Sequence, residues 1–300
     1  MKPLIERIAA GEVLVADGAI GTLLLERGLA PGACPESFNL SHPEVIEEIA
    51  RLYLHAGAEI IQTNTFGGSP LKLARYGLDD QTEAINQAAA AAVRRVVGRH
   101  AYVSGSCGPC GRMLKPYGDT DPEAIRAGFE RQMGALAEAG VDVFCVETMT
   151  DLAEAVLAVR AAKSVAPAIP VMATMTFERT RRGFFSIMGA GIDRAAAELT
   201  EAGADLVGSN CGNGIENMVE IAREFRRHTA RPLIIQSNAG LPEIVDGRAV
   251  YPETPEFMAE RARALIAIGV SILGGCCGTT PEHVAAFKRM VREATPGTVR

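Results

Sequence analysis

The stretch Ala202-Gly203-Ala204-Asp205-Leu206-Val207-Gly208-Ser209-Asn210-Cys211-Gly212 contains, in order, a helix exit, a strand and a polar turn. The Ala-rich amphipathic segment Asp193–Ala202 runs into Gly203, which can take the left-handed conformation that stops a helix. Leu206-Val207 begin a short apolar run after Asp205, and Ser209 to Gly212 have the composition of a turn. The same exit, Ala-Gly followed by Ala or Val and an acid, stands at Ala56–Glu59 and Ala139–Asp142.

In both directions the unit repeats. The pattern predicts strands at Val13–Ala16, Glu59–Thr63, Ala101–Gly105, Val141–Val146, Val171–Met175, Asp205–Gly208, Leu233–Gln236 and Val270–Leu273. Helical periodicity falls between them, at His42–Gly57, Thr82–Val97, Pro122–Gly140, Leu152–Val165, Asp193–Ala202, Ile215–His228, Pro255–Ile268 and Pro281–Ala294. Alternating βα units without a Pro- or Ser-rich linker predict a single α/β domain over residues 1–300, a (β/α)₈ TIM barrel. The rival, a doubly wound open sheet, lacks its Gly-x-Gly-x-x-Gly at the first helix and any break in composition. The residues before Val13 read as a short helix able to plug the barrel's bottom.

Composition narrows the function. With 300 residues, 48% of them hydrophobic, the chain can fill one large core. A net charge of −6 and the lack of a Lys/Arg cluster argue against nucleic acid. The start, Met1 to Arg7, lacks the apolar core of a signal peptide, and no run is long enough to span a bilayer, so a cytoplasmic protein without a membrane partner is expected. Seven cysteines without an export signal then fit a reducing compartment. Trp is absent, which excludes an indole cage for a quaternary ammonium group.

In a barrel, chemistry gathers where strands end. Cys211 follows the sixth predicted strand, and Cys276 and Cys277 stand side by side after the eighth in Gly274-Gly275-Cys276-Cys277-Gly278-Thr279-Thr280. Asn238 follows the seventh. Adjacent strands lie under about 5 Å apart, so one ion held at about 2.3 Å from each sulfur can bridge the three tips, and zinc is the expected metal. Buried apolar cysteines or a vicinal disulfide are the plain alternative. A three-thiolate site leaves one position open, where an incoming thiol would be held as thiolate below its free pKa of about 8.5. Asp17 and Glu147, at the first and fourth strand ends, read either as helix caps or rim ion pairs, or as recognition of an ammonium group. The second reading suits an amino-thiol, whose carboxylate the backbone of the turn Gly18-Ala19-Ile20-Gly21-Thr22 could hold.

Those blocks, with Thr63-Asn64-Thr65-Phe66, Glu147-Thr148 and Ser237-Asn238-Ala239-Gly240, resemble the homocysteine S-methyltransferase family over essentially the whole chain. The likeness is nearest to the homocysteine-binding module of cobalamin-dependent methionine synthases. The resemblance implies a zinc barrel that methylates homocysteine to methionine, with Cys211, Cys276 and Cys277 as ligands and Asn238 in the fourth position when substrate is absent. It implies that Asp17 and Glu147 contact the homocysteine amino group. The donor stays open among methylcobalamin carried by a separate corrinoid protein, betaine and S-methylmethionine. Gly67 stands where vertebrate-type betaine enzymes of the family carry tyrosine, which disfavours an animal-like betaine site.

Cys107-Gly108-Pro109-Cys110 copies a thioredoxin tetrad, so a thiol–disulfide redox protein is the alternative function. In the barrel reading Cys107 lies near the rim, as an accidental extra ligand or an oxidation target. Cys34-Pro35-Glu36 with the later Cys-x-x-Cys fits a zinc deaminase poorly in its spacing. Cys145 reads as core, and Glu178–Phe185, with Arg179, Arg181 and Arg182, as a solvated loop.

Overall fold

Eight short parallel strands close on one another in the computed structural model, which describes residues 1–245 and 248–294. They are β1 (Leu14–Val15), β2 (Ile60–Gln62), β3 (Tyr102–Cys107), β4 (Val143–Met149), β5 (Val171–Met175), β6 (Leu206–Asn210), β7 (Leu233–Ser237) and β8 (Val270–Gly275). Hydrogen-bonded neighbours run β1-β8-β7-β6-β5-β4-β3-β2. A parallel bridge between Ala16 and Ile60 joins the two ends, so the sheet is a barrel, as the repeat predicted.

The helices follow from local chemistry. Asp121, Asp151 and Thr254 accept hydrogen bonds from backbone N–H groups in the first turns of Pro122–Glu138, Leu152–Val165 and Pro255–Ile268. Gly57 and Gly203 end their helices at φ +97° and +111°, a region closed to most side chains. Each exit returns the chain to the barrel bottom, so all βα loops emerge at the other end.

Two cores result. Inside the barrel, Leu14, Ile60, Tyr102, Val143, Met172, Leu206, Ile234 and Ile272 meet, one from each strand, together with Cys145. Leu4 and Ile8, from the helix Leu4–Ala9, join this cluster and seal its lower end. The larger core lies between the strands and the helices around them.

Two differences from the sequence reading concern the loops. β3, β4 and β8 run past the expected ends to Cys107, Met149 and Gly275, and in the first two Ser106 and Glu147 stay in the strands with their side chains hydrogen-bonded to each other. Glu178–Phe185 is not a solvated loop but a β-hairpin, Glu178–Thr180 against Gly183–Phe185. Arg179 anchors it to Asn217 and Glu220 and lies 4.9 Å over the Phe184 ring. A second hairpin, Glu243–Val245 with Arg248–Val250, follows β7. No helix among the described residues is long and apolar enough to cross a membrane.

Glu59 ties the lower end together. Its carboxylate accepts from Arg7 of the plug helix at 2.7 Å and from Lys288 of the helix Pro281–Ala294. Burial opposes its charge, but the two cations outweigh burial and hold the carboxyl below its usual 4.5. A depressed folded pKa gives stability that is present above the unfolded value and lost as pH falls through the folded one. Glu59→Gln is expected to lower the unfolding free energy by about 1–3 kcal/mol at pH 7. The gap from wild type should shrink below about pH 4, as read by urea denaturation at the two pH values.

Candidate metal centre and substrate pocket

Cys211, Cys276 and Cys277 converge at the loop end of the barrel. The three Sγ atoms lie within 4.8 Å of one another, and Cys211 and Cys277 are 3.7 Å apart. Ligands bonded at about 2.3 Å in a tetrahedron stand about 3.8 Å apart, so the sulfurs have the spacing of metal ligands. All seven cysteines are free thiols, which excludes the vicinal disulfide.

Backbone contacts fix the three loops. Cys211 N–H donates to Gln236 C=O at 3.1 Å, Cys276 N–H to Ser237 C=O at 2.8 Å, and Ala239 N–H to Cys277 C=O at 3.0 Å. Cys211 holds φ +62°, a left-handed conformation costly for a side chain. Thr279 Oγ1 donates to Cys276 C=O at 2.7 Å, and a Cβ on Gly275 would meet that oxygen at 2.1 Å. Only glycine lets the eighth strand end turn here.

The thiols are not equivalent. Cys277 is held at about 3, far below the ordinary thiol range, because the Cys211 and Cys276 thiols donate to it, as does the Tyr251 hydroxyl. Cys276 is pushed well up by the same contacts. One thiolate accepting from two thiols is a donor set able to hold a cation. Asn238 is neither in the converging group nor on the wall of the cavity beside it. Its Oδ1 is buried without a hydrogen-bond partner, on the loop that latches Cys276 and Cys277.

A cavity of about 300 Å³ opens onto the sulfurs. Gly18, Ala19, Ile20, Gly21 and Thr22 form one wall, and Glu147, Ser106, Gln62 and Gln236 also line it. Glu147 accepts from Ser106 Oγ, and from Asn210 Nδ2 at 3.3 Å. Burial pushes its carboxyl up to about 7. Asp17 does not line this cavity; it lies buried beside it, accepts from Gln62 N–H at 2.8 Å, and is pushed up by burial to about 8. Neither acid caps a helix, because Ile20 and Asp151 occupy the adjacent N-caps.

Residues 14–291 match the model of the homocysteine S-methyltransferase family. The chain belongs to the homocysteine S-methyltransferase family. Among curated relatives, methionine synthase of Mycobacterium leprae is 35% identical over 99% of this chain, and that of Mycobacterium tuberculosis 36% over 92%. The chain spans about a quarter of their length, 26% and 24%. Among solved structures, the homocysteine methyltransferase MmuM of Escherichia coli in its metallated form superposes with a TM-score of 0.79. The match covers 96% of this chain and 99% of that one at 24% identity, a likeness of fold.

Some site residues of this family member had no role in the sequence reading. Tyr251 follows the second hairpin, and its ring lies over Gly278, where a Cβ would meet it at 2.0 Å. Nothing in the local sequence marks that approach. Ser106 and Gln62 sat within predicted strand ends, but only the folded register shows that both face Glu147. Cys107 and Cys110 are 0% and 1% exposed, and burial pushes the Cys107 thiol up and the Cys110 thiol up to about 12. They offer no reactive thiolate for disulfide exchange, and Cys107 is not in the converging trio.

Glu147 yields a stability prediction. Its raised folded pKa means the native state binds this proton more tightly, so unfolding free energy falls as pH climbs from about 4.5 to about 7. Glu147→Gln removes that contribution while an amide can still meet Ser106 and Asn210. In the metal-free protein the variant should gain on wild type between pH 5 and pH 7.5 in urea titrations; a constant difference would contradict the assignment.

Proposed function

We propose that the chain binds homocysteine at a zinc centre made by Cys211, Cys276 and Cys277 and accepts a methyl group from a corrinoid carried on another domain or protein. The observation that carries this is three sulfurs at metal-ligand spacing beside a cavity lined by a buried carboxylate. The donor set fits zinc: three thiols whose sulfurs lie within 4.8 Å of one another, with Asn238 on the neighbouring loop as the fourth ligand this reading assigns. Zinc bound there would supply an open position that holds an incoming thiol as thiolate, well below its free pKa of about 8.5.

The chain's own groups bind the rest of the amino acid. Glu147, aided from beneath by Asp17, takes the ammonium group, and that cation draws the raised carboxyls into their charged form. Backbone N–H groups of Gly18–Thr22 take the carboxylate. The substrate sulfur then attacks the methyl carbon in line; the S–C bond forms as the methyl–donor bond breaks, and its electron pair leaves with the donor. Free thiols at an open site suit a reducing compartment such as the cytoplasm.

Two observations favour a large donor over betaine or S-methylmethionine. The curated relatives are methionine synthases. The loops around the mouth also expose large apolar side chains, among them Tyr117 at 76%, Ile187 at 68%, Leu241 at 62% and Ile244 at 74%. A bulky donor docked over these loops would cover them.

The test is a donor screen with homocysteine. Methionine is expected from methylcobalamin or a methylated corrinoid protein, with about one zinc per chain. Cys276→Ser should lose the metal and at least about 100-fold in rate. Methionine formed from betaine alone would overturn the donor, and a metal-free protein active at the wild-type rate would overturn the centre.

A further inference from the structure

We infer that Asn210 is a positioning residue that locks the ammonium side of the pocket to the thiol side; this rests on the reading of the pocket proposed above. Asn210 ends β6, is fully buried, and precedes the ligand Cys211. Its side chain reaches three other strands. Oδ1 accepts from Thr148 N–H at 2.7 Å and from the Thr174 hydroxyl at 2.8 Å. Nδ2 donates to Thr148 Oγ1 at 2.8 Å and Glu147 Oε2 at 3.3 Å, and lies 3.9 Å from Cys276 Sγ.

The pattern is more than the satisfaction of a buried amide. Thr148 sits at φ +57°, one of two non-glycine residues with positive φ among the described residues, and both its N–H and its hydroxyl are held by Asn210. The other such residue is Cys211, the next in sequence. Asn210 therefore braces the strained turn that aims Glu147 into the cavity, from the strand end that also presents a metal ligand. An amide suits this place because it offers acceptor and donor at once. A carboxylate would lack the donor that Glu147 needs, and a hydroxyl is too short to reach β4 and β8 together.

A residue that only filled space would affect all thiols alike. A brace on Glu147 affects those that carry an amino group. The experiment compares binding of homocysteine and of 4-sulfanylbutanoate, the same thiol acid without the amino group, by calorimetry on zinc-loaded wild type, Asn210→Ala, Glu147→Gln and the double variant. Wild type should prefer homocysteine, and Asn210→Ala should lose about tenfold or more of that preference while zinc content and 4-sulfanylbutanoate affinity hold. The double variant should discriminate no worse than Glu147→Gln alone, as expected of residues acting through one contact. Should Asn210→Ala not fold, Asn210→Ser keeps a small polar group beside the Thr148 amide without reaching Glu147, and the same loss is expected. Equal weakening of both thiols, additive losses, or loss of zinc would overturn the role of Asn210 while leaving the pocket reading intact. A wild-type protein that binds 4-sulfanylbutanoate as tightly as homocysteine would overturn both.

Discussion

Three sulfurs held within 4.8 Å of one another are the constraint on which this structure turns. Sulfurs this close repel one another as thiolates, so the fold must hold them in place. It does so with main chain. Each ligand loop is hydrogen-bonded to the β7 strand end or the loop beyond it, and Cys211 is kept in a left-handed conformation by its place between β6 and Gly212. β6, β7 and β8 are neighbours in the sheet, which sets their tips side by side. The barrel is the means of fixing the sulfurs.

The same rigidity explains the acids. A carboxyl pushed up to about 7 or 8 by burial is a cost to the folded state. Glu147 is tolerated because Ser106, Gln62 and Asn210 each turn a donor toward it. Asp17 is tolerated because the Gln62 amide meets it. Both costs fall at the open end, while the lower end is closed by the plug helix and the ion pairs of Glu59. Stability is concentrated at the lower end and strain at the open one.

How far this was legible in sequence follows from range. The strands and helices were legible because their signals are local: an apolar run, an Ala-rich amphipathic stretch, a glycine at the exit. The convergence of the three thiols was legible because cysteines bracketed by glycine at strand ends have few other uses. Asn210 was in plain view beside Cys211, yet its partners lie on β4, β5 and β8, and no spacing along the chain announces them. Tyr251 was hidden for the same reason, since it meets Gly278 from just beyond the hairpin that follows β7. The hairpin at Glu178–Phe185 was misread because its strands bury little and carry arginine, so their pairing leaves no apolar pattern.

The division between scaffold and loops also separates the two halves of the reaction. Every group assigned to the methyl acceptor sits on a strand end or within the first turn after it, where the barrel fixes position. The groups that would meet a donor sit further out, on hairpins and long loops whose exposed side chains are apolar. Acceptor chemistry tolerates little displacement, because a thiol must meet three sulfurs and a carboxylate at once. Donor recognition needs only that a methyl group arrive in line with that thiol. The proposed acceptor site therefore rests on the scaffold and the proposed donor contacts on the loops, so the two can be altered independently.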